Sequence, residues 1–247
     1  MRHYVLTRSA YGPAWDIDAN RRRLAVTLGI TVRSMAAQTN RNWQWLIALD
    51  RCDPLRDERR AAFESAGVPV SFIDVESSAD RSRAAADAYR ADWNSLIGER
   101  LETIAMTRLD DDDAFAPWAM QRVHDAALKI TDRTVLMLPT GIRVWGGRCT
   151  LVRHQSNAMQ TLVTPTGDTL HVYAYLHRKV RDVAPVRTVD PRIAWVWSRH
   201  EDTISGWRQA DGPIHQKVKD LFPIDWSIFG QPGPAPKRRS LTGRSFR

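Results

Sequence analysis

Ile104-Ala-Met-Thr-Arg-Leu-Asp-Asp-Asp-Asp-Ala114 sets an apolar segment directly against four consecutive carboxylates, Asp110 to Asp113. Adjacent carboxylates repel unless a cation neutralises them, and oxygen-rich clusters suit hard divalent ions such as Mg²⁺ and Mn²⁺. If residues 104–109 form a buried strand, the cluster stands at its C-terminal end, the edge where open α/β sheets bind ligands. Along an extended backbone Asp110 and Asp112 point one way and Asp111 and Asp113 the other. A metal clamp fits that geometry. A solvated acidic turn is the competing reading, because charge runs are usually solvated.

Working outward, Tyr4-Val-Leu-Thr7 reads as a short buried strand. The segment from Asn20 to Gln38 carries Leu24, Leu28, Val32 and Met35 near helical spacing. A second strand covers residues 43–50, a helix runs from Pro54 to Ser65, and a third strand covers residues 68–75. Helix is expected again over residues 81–101. Strands alternating with helices imply a parallel sheet with right-handed crossovers. Past the aspartates, Pro117 opens a helix bearing Met120, Val123, Ala127 and Ile130. The pattern then changes to short strands over 134–138, 142–145 and 149–152, separated by Pro139, Gly141 and the Gly146-Gly147 pair, as in hairpins. Arg192 to Ser198 is a last strand. The expected fold class is therefore α/β, a mixed and mostly parallel sheet flanked by helices, with a hairpin-rich second half. One domain is expected over residues 1–230, its halves meeting near 115.

With 247 residues and 43% hydrophobic content the chain can bury a sizeable core. It has no stretch of roughly 18 apolar residues, and Met1 to Arg8 breaks too soon for a signal peptide, so a cytoplasmic protein is expected. Cys52 and Cys149 form no disulfide framework and no zinc-type pair. Of the net charge of +8, five charges lie in residues 231–247, which hold Lys237, Arg238, Arg239, Arg244 and Arg247 and no acid. That proline-rich basic tail is expected to be disordered, and to touch anionic lipid on the inner face of a membrane if it has a partner. The body is only mildly basic, and no specific nucleic acid partner is expected.

The motifs narrow the chemistry. Counted from Asp110, positions six and twelve of a calcium loop hold Phe115 and Gln121, so an EF-hand is excluded. No glycine-rich phosphate loop of the Walker or dinucleotide type occurs. What remains is a metal held by strand-end carboxylates that bridges the oxygens of a diphosphate. A two-metal phosphodiesterase or nuclease is the rival enzyme, and a nucleic-acid-binding module built on the tail and tryptophans the rival non-enzyme.

Thr107-Arg-Leu-Asp-Asp-Asp-Asp-Ala114 resembles the Asp-x-Asp signature of metal-dependent glycosyltransferases of the GT-A fold. The chain is more closely similar to the rhamnosyltransferase family. Six elements carry that likeness in order: Thr7-Arg8, Met35 to Thr39, Leu49-Asp50, Thr107 to Ala114, Arg153-His-Gln-Ser-Asn-Ala158 and His200 to Ser205. The resemblance spans roughly residues 3–208.

What it implies is a GT-A-like fold, a nucleotide-sugar donor and Mn²⁺ or Mg²⁺. By that resemblance Asp50 bonds the donor's base, Asp110 faces the ribose or metal, Asp112 is the principal metal ligand, and His200 approaches the diphosphate or metal. Arg8 and Arg108 bind phosphate or pair with the acidic cluster. Arg153 and Asn157 belong to the acceptor side. Structural alternatives stand beside these roles: Asp50 caps the following turn, and Asn157 caps a helix. A base is needed near the acceptor hydroxyl. Asp168, His171, His177, Glu201 and Asp202 all lie in that half, with Asp168 favoured and His177 next. The acceptor is left open among a glycan, a lipid-linked carrier, a small molecule and a protein. Of the ten tryptophans most are expected in the core.

Overall fold

The computed structural model describes residues 1–9, 17–75, 92–99, 101–154, 157–175, 177–199 and 211–230. The basic tail, His200, Glu201, Asp202 and most of the helix expected over 81–101 lie outside the described residues.

The main sheet has seven strands. They are β1 (Arg2–Ser9), β2 (Gln44–Asp50), β3 (Val70–Val75), β4 (Ile104–Arg108), β6 (Thr134–Met137), β9 (Gln160–Thr164) and β10 (Val186–Thr188). Their spatial order is β10-β6-β9-β4-β1-β2-β3. Every pairing is parallel except those of β9, which runs against both β4 and β6. Apolar, β-branched runs such as Trp45-Leu-Ile-Ala-Leu49 form such strands because both faces are covered. A second sheet has the order β12-β8-β7-β11-β5 and comprises β5 (Ala114–Phe115), β7 (Thr140–Trp145), β8 (Arg148–Arg153), β11 (Ile193–Ser198) and β12 (Gly212–Pro213). β7 and β8 form the expected hairpin through Gly146 and Gly147, both at positive φ. β6, read from sequence as a member of the same hairpin array, belongs to the main sheet instead. The fold is the α/β arrangement anticipated, a mixed and mostly parallel sheet flanked by helices, with one antiparallel intruder.

Helices cover both faces of the main sheet. α1 (Ile17–Val26) runs through a π-helical stretch (Thr27–Val32) into α2 (Arg33–Ala36), and α3 (Arg56–Glu64) and α5 (Ala119–Ala127) lie on the same face. Met35, Phe63, Met120 and Val123 pack there against Val5, Trp45 and Ile47, and Trp195 of the second sheet joins them. α4 (Trp93–Ile97) covers the other face, where Trp93 stacks on Tyr173 over Leu6, Leu46 and Met106. Burying each such side chain contributes about 1.5–3 kcal/mol. A short helix α6 (Gln216–Leu221) and a final turn at Trp226–Phe229 dock back on the π-helical stretch, where the Asp225 amide donates to Gly29 O at 2.8 Å. The π turn also corrects the expected apolar face. It adds a residue per turn, so Val26, Ile30 and Met35 face inward while Leu28 is left 40% exposed.

Two close contacts matter later. Gly141 lies directly beneath the Trp195 indole, whose ring atoms stand 2.0–2.4 Å from where a Cβ would be. His3, on β1, is buried and stacked on His124 of α5 with centroids 5.7 Å apart, and its Nε2 meets Thr107 Oγ1 at 2.8 Å. Among the described residues no helix is long and apolar enough to cross a membrane.

Candidate active site

Strand parity assembles one polar wall. Leu6, Ala48, Met106 and Leu162 point into one core layer. Side chains alternate along a strand, so Arg8, Asp50, Arg108 and Gln160, each two residues from one of them, share that face at the rim beyond the core. In β1, β2 and β4 this is the C-terminal end; in the reversed β9 it is the N-terminal end. The rim is thus polar while the layer beneath it is apolar.

Directly beyond β4 the aspartates form a tight turn, with the Asp113 amide donating to Asp110 O at 3.2 Å. The strand therefore ends at Arg108, and a turn, rather than an extended run, separates the four carboxylates. The turn leaves the Asp110 and Asp112 side chains 16% and 10% exposed, with Asp111 and Asp113 more deeply buried.

Each carboxylate has a defined partner. Asp110 receives Arg8 Nε at 3.4 Å and Arg108 Nη2 at 3.3 Å. Burial alone would raise its pKa, but these two guanidiniums outweigh burial and hold it down at about 2. Asp111 accepts from Ser9 Oγ at 2.7 Å and from Arg23 Nη2. Asp112 accepts from Arg23 Nη1 at 2.9 Å. Asp113 accepts from the Ser198 amide at 3.0 Å, which ties the turn to the end of β11. Burial, reinforced by the charges of Asp112 and Asp110, pushes its carboxyl well above the ordinary range, against the smaller opposing pulls of Arg199 and the Ser198 amide.

Sequence reading missed Arg23, Ser9, Ser198, Arg199 and Gln160. Arg23 sits in the Arg21-Arg22-Arg23 run of α1, where Arg21 and Arg22 are exposed and only the third turns inward. The helical period of α1 was the available signal.

The other anticipated residues are placed as follows. Asp50 is buried and its Oδ1 accepts from the Cys52 amide at 2.9 Å, a turn cap on the face that carries Arg8 and Arg108. Asn157 is also buried, donating to Leu138 O at 2.9 Å and accepting from the Met159 amide at 2.9 Å, so it pins the loop before β9. Arg153 is exposed and pairs in register with Thr140, whereas Ser198 pairs with Val144. It therefore lies at the end of the second sheet away from the aspartates. Asp168 is not brought to the cluster. It follows β9, whose end at Thr164 pairs with Ile104 at the start of β4, and it is held by Arg133 Nε at 2.6 Å on the opposite rim. His177 opens a helical turn (His177–Asp182) two residues after Tyr175, a phenol close enough to Arg108 to feel its charge.

Among the described residues no group of three His, Cys, Asp or Glu converges as a closed metal cage. An open Mg²⁺ or Mn²⁺ site needs less: such ions keep several waters and are held by one or two carboxylates plus substrate phosphates. Asp110 and Asp112, the least buried of the four, fit that donor set, and Arg8 and Arg108 keep Asp110 ionised.

A family model described as "Putative rhamnosyl transferase" matches residues 16–211. No curated protein matches the chain in sequence. Solved structures that overlay on it include a 4-diphosphocytidyl-2C-methyl-D-erythritol synthase, at 11% identity over 89% of this chain and 96% of that one, with a TM-score of 0.39. Another is a nucleoside-diphosphate-sugar pyrophosphorylase from Vibrio cholerae RC9, at 8% identity over 80% and 93%, with a TM-score of 0.40.

Proposed function

The chain belongs to this rhamnosyl transferase family, a family of glycosyltransferases, and we propose that it moves a sugar, rhamnose first among the candidates, from a nucleotide diphosphate donor to an acceptor hydroxyl with the aid of Mn²⁺ or Mg²⁺. The observation that most supports this reading is the meeting, at the strand-end rim, of Asp110 with Arg8 and Arg108 and of Asp112 with Arg23, these two carboxylates being the least buried of the four.

Arg8 and Arg108 orient the phosphates, since guanidinium forks match phosphate oxygens in planar, two-point fashion. Asp110 and Asp112 would hold a divalent ion, which when bound would supply positive charge to offset that of the diphosphate leaving group. Asp50 stands on the same face, one strand beyond Arg8, in position to meet the donor's base. The proton of the acceptor hydroxyl is assigned to His177 rather than to Asp168, because the latter sits on the opposite rim.

The test is a thermal-shift screen of UDP, GDP and dTDP, each with Mn²⁺ and with EDTA. Ligands that bind only the folded state raise its melting temperature by mass action. A rise with at least one diphosphate and Mn²⁺, lost in EDTA, is the expected result. No rise with any of the three would remove the transferase reading, and a rise undiminished by EDTA would remove the metal from it.

A further inference from the structure

Among the described residues, Arg8 and Arg108 meet Asp110, and Arg23 meets Asp111 and Asp112. Arg199 differs. It follows directly on Ser198, whose amide is bonded to Asp113, and its own amide donates to Val144 O at 2.9 Å, so its backbone is fixed against the turn. Its guanidinium lies over the Trp197 ring at 4.1 Å from the centroid. The residue is only 6% exposed, and its Nε is buried with no hydrogen-bond partner. Among the described residues its side chain makes no hydrogen bond and no ion pair.

That arrangement is costly as it stands. A guanidinium stays charged at any physiological pH, and a buried charge without a contact partner pays desolvation without return. The aspartates attract Arg199 from a distance, while Arg143, its cross-strand neighbour's near companion on β7, repels it. Stacking on an indole offsets only part of the loss. What completes the site is an external anion beside Asp110 and Asp112.

We propose that Arg199 is the receptor for the donor's diphosphate, gripping the leaving nucleoside diphosphate from the side of the second sheet while Arg8 and Arg108 hold it from the main sheet. The proposal rests on the transferase reading above and adds to it the residue that recognises the second phosphate. It also gives the β11 strand a role: Trp197 presents the guanidinium, and the Ser198 amide locks it to the metal-side turn.

The experiment is calorimetric titration of the full chain, in Mn²⁺, with UDP, GDP and dTDP. The tightest of them is then titrated, together with its nucleoside monophosphate, against Arg199→Gln and Arg199→Lys. Losing a charge-assisted fork is expected to weaken the diphosphate by about tenfold to a hundredfold in Arg199→Gln, with the monophosphate moving by less than about threefold. Arg199→Lys, which keeps the charge and loses the fork, is expected to fall between, and it carries the test should the glutamine variant not fold. A purely structural arginine would lower the melting temperature and leave the diphosphate to monophosphate ratio where it was; that result overturns the proposal while the transferase reading stands. Absence of binding of all three diphosphates to the unaltered protein would overturn both.

Discussion

Arg23 and Asp112, 89 residues apart in the chain, are joined by an Nη1 to Oδ2 hydrogen bond of 2.9 Å, and the same guanidinium reaches Asp111 through Nη2. One helix residue thereby fixes the shape of the acidic turn before any ligand arrives.

Removing that arginine strands a buried carboxylate. Arg23→Gln is expected to cost about 3–5 kcal/mol of stability, the range for breaking one partner of a buried ion pair. Arg23→Gln combined with Asp111→Asn should recover a substantial part of it. Urea denaturation of the two variants and the parent measures the coupling; a single variant as stable as the parent would show that the pair holds nothing together.

The four aspartates are expected to separate by role. Asp110→Asn and Asp112→Asn should lose most sugar transfer while lowering the melting temperature less than Asp111→Asn, because their side chains, 16% and 10% exposed, are the least buried of the four. Asp111→Asn should lower the melting temperature first, because its oxygens serve Ser9 and Arg23 inside the fold. Equal melting temperatures for all three variants would contradict this division.

Asp168→Asn is expected to leave turnover within about threefold and to cost less than about 1 kcal/mol, the scale for a partly exposed ion pair such as that with Arg133. Steady-state kinetics beside His177→Ala decide the matter. Loss of turnover in Asp168→Asn with normal donor binding would return the base to Asp168.

Burial, helped by the adjacent His124, pushes the His3 imidazole down to about 3. The unfolded chain takes up that proton near pH 6.5 while the folded one refuses it. Stability is therefore fully present above pH 6.5 and is lost as pH falls toward 3, at up to about 1.4 kcal/mol per pH unit. Chemical denaturation between pH 7 and 5 should show this slope, and His3→Leu should flatten it even if the variant is less stable at pH 7. A parallel slope in the variant would assign the acid sensitivity to other groups.

Gly141→Ala places a methyl group inside the Trp195 ring, which must shift or the strand must part. A loss of at least about 1–3 kcal/mol is expected from such overpacking. Thermal unfolding checks it, and near-UV circular dichroism should report the displaced indole.

Much of the fold was legible because hydrophobic runs and turn residues are local signals. The strands before Asp50 and the aspartates, the helices after Pro54 and Pro117, and the last strand to Ser198 all stood in the pattern. β9 did not. Gln160-Thr-Leu-Val-Thr164 is short and half polar, and nothing local reveals that it slips backwards between β4 and β6. That reversal is what carries Asp168 to the far rim. The site was legible as an acidic turn at a strand end with Arg8 and Arg108 beside it, yet Arg23 and Arg199 were not, because Arg23 reaches its aspartates 88 and 89 residues away and Arg199 is brought to the turn only by the Ser198 to Asp113 bond, 85 residues apart. In sequence each sits among other charged residues, and such runs ordinarily face water.

The reversed strand also tells a protein engineer where to work. Its far end opens into the exposed turn Thr166–Gly167, with Gly167 at φ +80 and no atom within 4 Å of a built Cβ. A fluorophore, an affinity handle or an inserted domain grafted there would hang from the underside of the sheet, the full length of β4 away from the aspartates. The same cargo attached at the loop before Gln160 would sit on the rim that carries Arg8 and Arg108.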